Sequence, residues 1–372
     1  MNLNSLSTAL LLLLFVLAHP ARGATKRLLY VAEPGIRNYL EYGGHGLLVY
    51  DMERNHSFVE RIPTAGLDEK GQPANVKGIC ASVPLKRVFI TTPKTMTALD
   101  LITEKVLWEK RYEGGCDRMA ISPDGLTIYV PSFESDHWTV VSAATGDVIR
   151  KIETKSGAHN TIFGPNGKAV YMAGLKSPYL FVSDTARHDV ANKVGPFSAP
   201  IRPFTVNSSQ TLCYVNVNAL LGFEVGDLTT GLKLHRVEVK GYEQGPVKRH
   251  GCPSHGIALT PDEREIWLTD AANSSLHIFD NTKMPPMQID SIRVGDQPGW
   301  ITFSVDGAFA YPSTGEVIDP KTRQVITVLR DENGKPIQSE KMVEIQFSGG
   351  EPIRTGDQFG IGRLKGNSAV PK

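Results

Sequence analysis

The 372-residue chain is poor in cysteine: Cys80, Cys116, Cys213 and Cys252 are too few and too widely spaced to form a disulfide scaffold. Stability must come from a packed apolar core. Excess charge of either sign is also missing. The 40 Lys and Arg set against 39 Asp and Glu create no overall field that would hold a polyanion or an anionic membrane, so nucleic acid is not an expected partner. The apolar run over residues 9–18 is too short to span a bilayer and suits the core of a signal peptide. Ala21-Arg22-Gly23 then offers small residues where a signal peptidase reads. The expectation is a signal peptide over residues 1–23, cleavage before Ala24, no lipid attachment, no transmembrane span in the mature chain, and a periplasmic or extracellular location. Neither a G-x-S-x-G nucleophile elbow nor a G-x-x-x-x-G-K-[ST] phosphate loop occurs, which removes two common enzyme classes at the level of motif. A Ser/His/Asp set assembled in space stays open.

What the chain does have is a period. Ser122-Pro123-Asp124-Gly125, Gly164-Pro165-Asn166-Gly167, Val206-Asn207-Ser208-Ser209, Thr260-Pro261-Asp262-Glu263 and Ser304-Val305-Asp306-Gly307 occupy equivalent places, their second residues 42, 42, 54 and 44 apart. Proline presets φ, glycine accepts positive φ, and Asp or Asn bonds its own backbone, so each tetrapeptide reads as a hairpin turn. A β-rich segment follows each turn, as in Leu126-Thr127-Ile128-Tyr129-Val130. A third strand then commonly ends in Asp (Asp51, Asp100, Asp184, Asp280, Asp319), and a fourth follows. Four short strands per repeat of about 42 residues is the signature of a propeller blade.

The segment from Ile121 to Val130 and Gly256-Ile257-Ala258-Leu259-Thr260-Pro261-Asp262 resemble the YVTN-type β-propeller repeat family, related in fold to WD40-like, lactonase-type and cytochrome d1-type propellers. The resemblance covers roughly residues 28–329 and implies an all-β propeller; it carries no specific chemistry. The chain departs from it where no Asn follows Tyr129-Val130 and where the fifth unit has lost Pro-Asp-Gly. Inner strands are expected to begin near Gly78, Arg118, Asn160, Arg202, Gly256 and Trp300. The N-terminal segment supplies three strands only, and residues 341–347 are expected to complete its blade. This gives a seven-bladed ring of four-stranded antiparallel blades, over residues 24–348, closed by N- and C-terminal strands sharing one blade. Residues 349–372 are left as a C-terminal tail.

In such a meander the turns from strand one to two and from three to four open on one face, and these are uniformly tight. The other face carries the long connections, over residues 34–45, 65–76, 131–137, 187–200 and 241–254, so it is the candidate site. Around its channel mouth fall Asp117, Arg118, His159, Asn160, Arg202, His255 and Trp300. The plain alternative is an ordinary polar channel lining. The sharper expectation is that Asp117, His159 and His255 ligate a divalent metal, although they come from separate blades. A second local candidate is His250-Gly251-Cys252-Pro253-Ser254-His255, with a thiol among imidazoles. Cys116 and Cys252 are expected to lie beyond bonding distance, and Cys80 and Cys213 to be buried small hydrophobes.

The leading functional expectation is a monomeric, non-catalytic, exported binding scaffold whose long-loop face recognises a protein, a glycan or a small molecule. The first alternative is a metal-dependent, lactonase-like hydrolase with its site at the channel mouth. The second is a redox or haem d1-type propeller subunit.

Overall fold

The structure, a computed structural model, describes residues 25–64 and 66–363. The expected signal peptide lies outside the described residues. Seven sheets surround a central axis. Blade 2 is Gly78–Ser82, Arg87–Thr91, Thr95–Asp100 and Val106–Arg111; blade 3 is Ala120–Ile121, Thr127–Pro131, His137–Ser142 and Val148–Glu153. Blade 4 is Ala158–Phe163, Ala169–Gly174, Leu180–Asp184 and Asp189–Val194; blade 5 is Ile201–Val206, Leu212–Val217, Gly222–Asp227 and Lys233–Glu238. Blade 6 is Ile257–Leu259, Glu265–Asp270, Ser275–Asp280 and Met287–Arg293; blade 7 is Ile301–Phe303, Ala310–Pro312, Glu316–Asp319 and Gln324–Val328. Blade 1 takes Lys26–Glu33, Gly46–Asp51 and Ser57–Ile62 from the N-terminal end, and Met342–Ser348 pairs antiparallel with its first strand, Tyr30 opposite Val343.

The turn chemistry acts as the sequence implies. In blade 3 the Gly125 amide closes on the Ser122 carbonyl at 2.8 Å, and Asp124 Oδ1 accepts from the Leu126 amide at 3.0 Å, with Gly125 at φ +73°. Where glycine has been lost, Gln210 and Glu263 take the same left-handed corner, at φ 56° and 61°. The Asp that closes the third strand in every blade but the third has a mechanical reason too. Asp100 Oδ1 accepts from the amides of Ile102 and Thr103, and Asp227 and Asp319 repeat the pattern, so each carboxylate caps the turn into the fourth strand.

The core lies between blades. The buried Trp138 of blade 3 packs in one cluster with Ile162, Val170 and Met172 of blade 4, and its indole N–H donates to Thr161 Oγ1 at 2.7 Å. Trp267 of blade 6 meets Phe303 of blade 7 edge to face at 5.5 Å. Each such side chain contributes roughly 1.5–3 kcal/mol by burial, and because every blade buries both faces against neighbours, the ring must close to be stable.

Two segments differ from the sequence expectation. Residues 187–200 are not one loop: Asp189–Val194 pairs with Leu180–Asp184 as the fourth strand of blade 4, leaving a short connection. Its exposed Ala191, Asn192 and Lys193 hid it, since an outermost strand buries little. The residues set apart as a tail continue the ring as far as they are described. Glu351–Thr355 adds a fifth strand inside blade 1, and the chain then crosses the channel on the tight-turn face. Gln358 bonds the Met119 carbonyl and the Ile79 amide, Phe359 is buried, and the Gly360 carbonyl accepts from Leu259 and Thr205. That end keeps a cavity of about 810 Å³ lined in part by the crossing segment, and the opposite, long-loop mouth holds a separate one among the residues expected to form the site. No helix among the described residues is long and apolar enough to cross a membrane.

Candidate metal centre at the channel mouth

Residues just before an inner strand ring the axis on the long-loop face. Blade 2 presents Lys77 there, blade 3 Asp117 and Arg118, blade 4 His159, blade 5 Arg202, blade 6 His255, blade 7 Trp300 and the closing strand Glu340 and Lys341. Of these Lys77, Arg118, His159, Arg202, His255, Glu340 and Lys341 line a cavity of about 250 Å³ whose wall also includes Arg37, Arg249 and His250, while Asp117 and Trp300 lie behind it.

The expected trio of Asp117, His159 and His255 is divided between two clusters. In the first, His159 Nδ1 lies 2.6 Å from Asp117 Oδ2 and Nε2 lies 3.1 Å from Arg118 Nη1. A guanidinium can only donate, so Nε2 accepts and Nδ1 carries the proton to Asp117. The imidazole is therefore neutral and fixed in one tautomer. Burial lowers its pKa, against the pull of Asp117 and with the push of Arg118 and Lys77. Burial also pushes the Asp117 carboxyl up, but the attraction of His159, Lys77 and Arg118 overrides it and brings the group down to about 2.

In the second cluster, His250, His255 and Glu340 each offer a ligand atom, all within 4.8 Å of one another. His250 Nε2 lies 2.9 Å from the Gln297 carbonyl and His255 Nδ1 lies 2.8 Å from the Gly299 carbonyl. Both nitrogens must donate, which directs the lone pairs of His250 Nδ1 and His255 Nε2 elsewhere. His250 Nδ1 then faces Glu340 Oε1 at 2.9 Å. Two acceptors at that distance require a cation between them, either a proton or a metal. Gly299 is needed here because a Cβ would fall 2.2 Å from the His250 ring.

Arg118 links the clusters. Its other nitrogen bonds Glu340 Oε2, which also receives Lys341 Nζ at 2.7 Å, and its guanidinium lies 4.4 Å from the Trp300 ring centre. Burial would raise the Glu340 carboxyl, yet Lys341, Arg118 and His250 hold it well below the usual range. Burial, then Arg118, lowers the Lys341 ammonium to about 7 despite Glu340. His255 is driven well below 6.5, chiefly by burial.

The remaining expected residues divide. Arg202 reaches the cavity wall, where Nε donates to Asn218 Oδ1 at 2.6 Å. Trp300 is buried behind Arg118, its indole N–H donating to the Gln358 carbonyl at 2.6 Å. Asn160 is buried beside Arg118, and neither atom of its side-chain amide has a hydrogen-bond partner among the described residues. His159 and His255 do line the cavity at the mouth, and both are buried. The thiol of the second candidate does not join the imidazoles: Cys252 Sγ bonds the Ser254 carbonyl at 3.2 Å, and burial pushes it up to about 12. All four cysteines are free and buried.

Sequence reasoning missed Glu340, Lys341 and Lys77. The signal for Glu340 was available, because a closing strand starting at Lys341 puts Glu340 at the same entrance position as His255.

The chain matches no family model and no curated protein. Among solved structures it is similar to one described as Kuenenia stuttgartiensis hydrazine synthase, with a TM-score of 0.60 and 15% identity over 77% of this chain and 90% of that chain. At that identity the likeness is one of fold, and the repeat resemblance likewise stands at the level of a seven-bladed propeller.

Proposed function

We propose that the protein is an exported, metal-dependent hydrolase whose metal is held by His250, His255 and Glu340. The observation that carries this reading is the facing pair of His250 Nδ1 and Glu340 Oε1, with His255 beside them and both imidazoles oriented by backbone carbonyls. Two histidines and one glutamate form a ligand set known for catalytic zinc, which keeps a further position open for water or substrate. Backbone acceptors behind the histidines are the usual means of fixing ligand tautomers. When bound, such an ion activates water near neutral pH and polarises a carbonyl oxygen.

The chain's own residues supply the rest. Arg118 and Lys341 occupy Oε2 of Glu340, leaving Oε1 for the ion. His159, its Nδ1 held by Asp117 and its Nε2 accepting from Arg118, is a neutral imidazole on the cavity wall, and its Nε2 can take or return a proton when Arg118 turns to a bound substrate. Trp300 packs against Arg118 and Lys341 and holds them in place. The second reading, a recognition site without turnover, is favoured by the predominance of cations in the cavity wall.

The test is elemental analysis of protein purified from its export compartment, followed by assay of carboxylic esters and lactones with and without a chelator. The expected result is bound divalent metal and hydrolysis that the chelator abolishes and added metal restores. Protein that takes up no metal, or that hydrolyses none of these substrates when loaded, would overturn the reading.

A further inference from the structure

We infer that this site takes a small anionic substrate, one bearing a carboxylate or phosphate held by Arg37 and Arg202. The inference rests on the hydrolase reading for what happens to the substrate, but not for its binding.

The cavity wall includes six cationic side chains, Arg37, Lys77, Arg118, Arg202, Arg249 and Lys341, against the carboxylates of Glu134 and Glu340. Four of the cations have acidic partners. Arg118 and Lys341 share Glu340, Lys77 lies 3.4 Å from Asp117, and Arg249 lies 3.4 Å from Asp296. The other two have none among the described residues. Arg37 donates through Nε and Nη2 to the Arg249 carbonyl at 3.0 and 2.8 Å. Arg202 donates through Nε to Asn218 and through Nη2 to the Gly251 carbonyl at 3.3 Å.

These anchors fall on both sides of one ligand, because residues 249 and 251 flank His250. Each guanidinium is held by two of its nitrogens and keeps Nη1 uncommitted among the described residues, so its conformational cost of binding is already partly met. Two fixed forks beside a metal ligand are suited to the planar oxygens of a carboxylate or to phosphate. A bound divalent ion would add to the positive potential and strengthen the preference for an anion. Size narrows the class further: at about 250 Å³ the cavity lies just under the range of drug-sized pockets.

The tie to residues 249 and 251 also has a purely structural reading, as a latch on the loop carrying His250, and the experiment separates the two. Full-length mature protein, metal-loaded and chelator-stripped, is titrated calorimetrically at low salt with inorganic phosphate, succinate and the neutral succinamide. The variant R37M/R202M is titrated in parallel, and its metal content is measured. We expect one anion site per chain in the wild type, no binding of succinamide, and at least tenfold weaker anion binding in the variant at unchanged metal content. The stronger of the phosphate and succinate arms identifies the group. Equal anion affinity in the variant, or no anion binding by the wild type at millimolar concentration, would overturn the inference, as would a variant that loses its metal together with its anion affinity. The two proposals fail separately: anion binding without metal uptake removes the hydrolase and leaves the anion site. Turnover of neutral esters as fast as charged ones, with no anion binding, does the reverse.

Discussion

Replacing Glu340 by Gln keeps the volume of the side chain and removes the one negative charge that Arg118 and Lys341 share. Both cations are almost wholly buried, with side chains 3% and 2% exposed. Removing one partner of a buried ion pair costs about 3–5 kcal/mol, because the other charge stays behind without compensation. Here the protein has a partial escape. Lys341 already titrates at about 7, and without the carboxylate it titrates lower still. The sign follows from linkage. The folded-state pKa lies below the unfolded value near 10.4, so the unfolded chain binds more protons between about pH 7 and 10, and this group's contribution to stability rises with pH there. Glu340→Gln extends that window downward. Above pH 8 Lys341 is neutral in both proteins and the deficit comes from Arg118 and His250; below pH 7 only the wild type can hold the proton on Lys341, so the deficit widens. Urea midpoints of chelator-treated protein at pH 6 and pH 8.5, followed by tryptophan fluorescence, should show a loss at both pH values and a larger one at pH 6. Equal midpoints for variant and wild type at pH 6, or the same deficit at both pH values, would refute the reasoning.

Ending the chain before Ser339 removes the closing strand and, with it, buried Met342, Val343, Ile345, Phe347 and Phe359. At roughly 1.5–3 kcal/mol each they rival the 5–15 kcal/mol of a whole domain, so circular dichroism should find no cooperative melt; a wild-type melting temperature would contradict ring closure. Acid should destabilise the fold from about pH 6.5 downward, since His56, lowered to about 4 by burial and then Arg27, and the buried His159 and His255 resist protons that the unfolded chain accepts; His56 alone accounts for about 3 kcal/mol by pH 4, and a melting temperature flat from pH 7 to 5 would deny it. Gly299→Ala, whose Cβ would fall 2.2 Å from the His250 ring, should displace that ring and lower zinc affinity at least tenfold, read by chelator competition; unchanged affinity would remove His250 from the ligand set. Asp117→Asn should leave metal content unchanged while lowering kcat rather than raising KM and moving the acid limb of the pH profile, through the loosened His159 tautomer; a proportional loss of metal would make the two clusters one ligand system.

The ring was legible because its signals are local. Pro-Asp-Gly turns, strand-ending Asp residues and period-two apolar segments each act within a few residues, and even closure by the strand after Lys341 could be read from its apolar content. The site was legible by position more than by partner. Entrance residues such as Asp117, His159 and His255 could be placed at the mouth from the repeat, but which of them meet depends on side-chain reach across the axis. His159 turns to Asp117 on the neighbouring blade, and His255 turns to a glutamate 85 positions further along the chain. Carrying the closing strand through to the list of entrance residues would have supplied Glu340. Nothing local marks Gln297 or Gly299 as the carbonyls that orient the imidazoles, nor the channel crossing by residues 356–363, whose polar and glycine-rich composition resembles that of any tail.

The central claim is that the cation between His250 and Glu340 is a metal ion and not a proton. A crystal structure of protein grown with zinc, with diffraction recorded above and below the zinc absorption edge, tests it most directly. The account predicts one anomalous peak at the channel mouth, with His250 Nδ1, His255 Nε2 and Glu340 Oε1 each about 2.0–2.2 Å from it. A map without that peak, with His250 and Glu340 still in direct hydrogen-bond contact, would show a protonated pair and contradict the account.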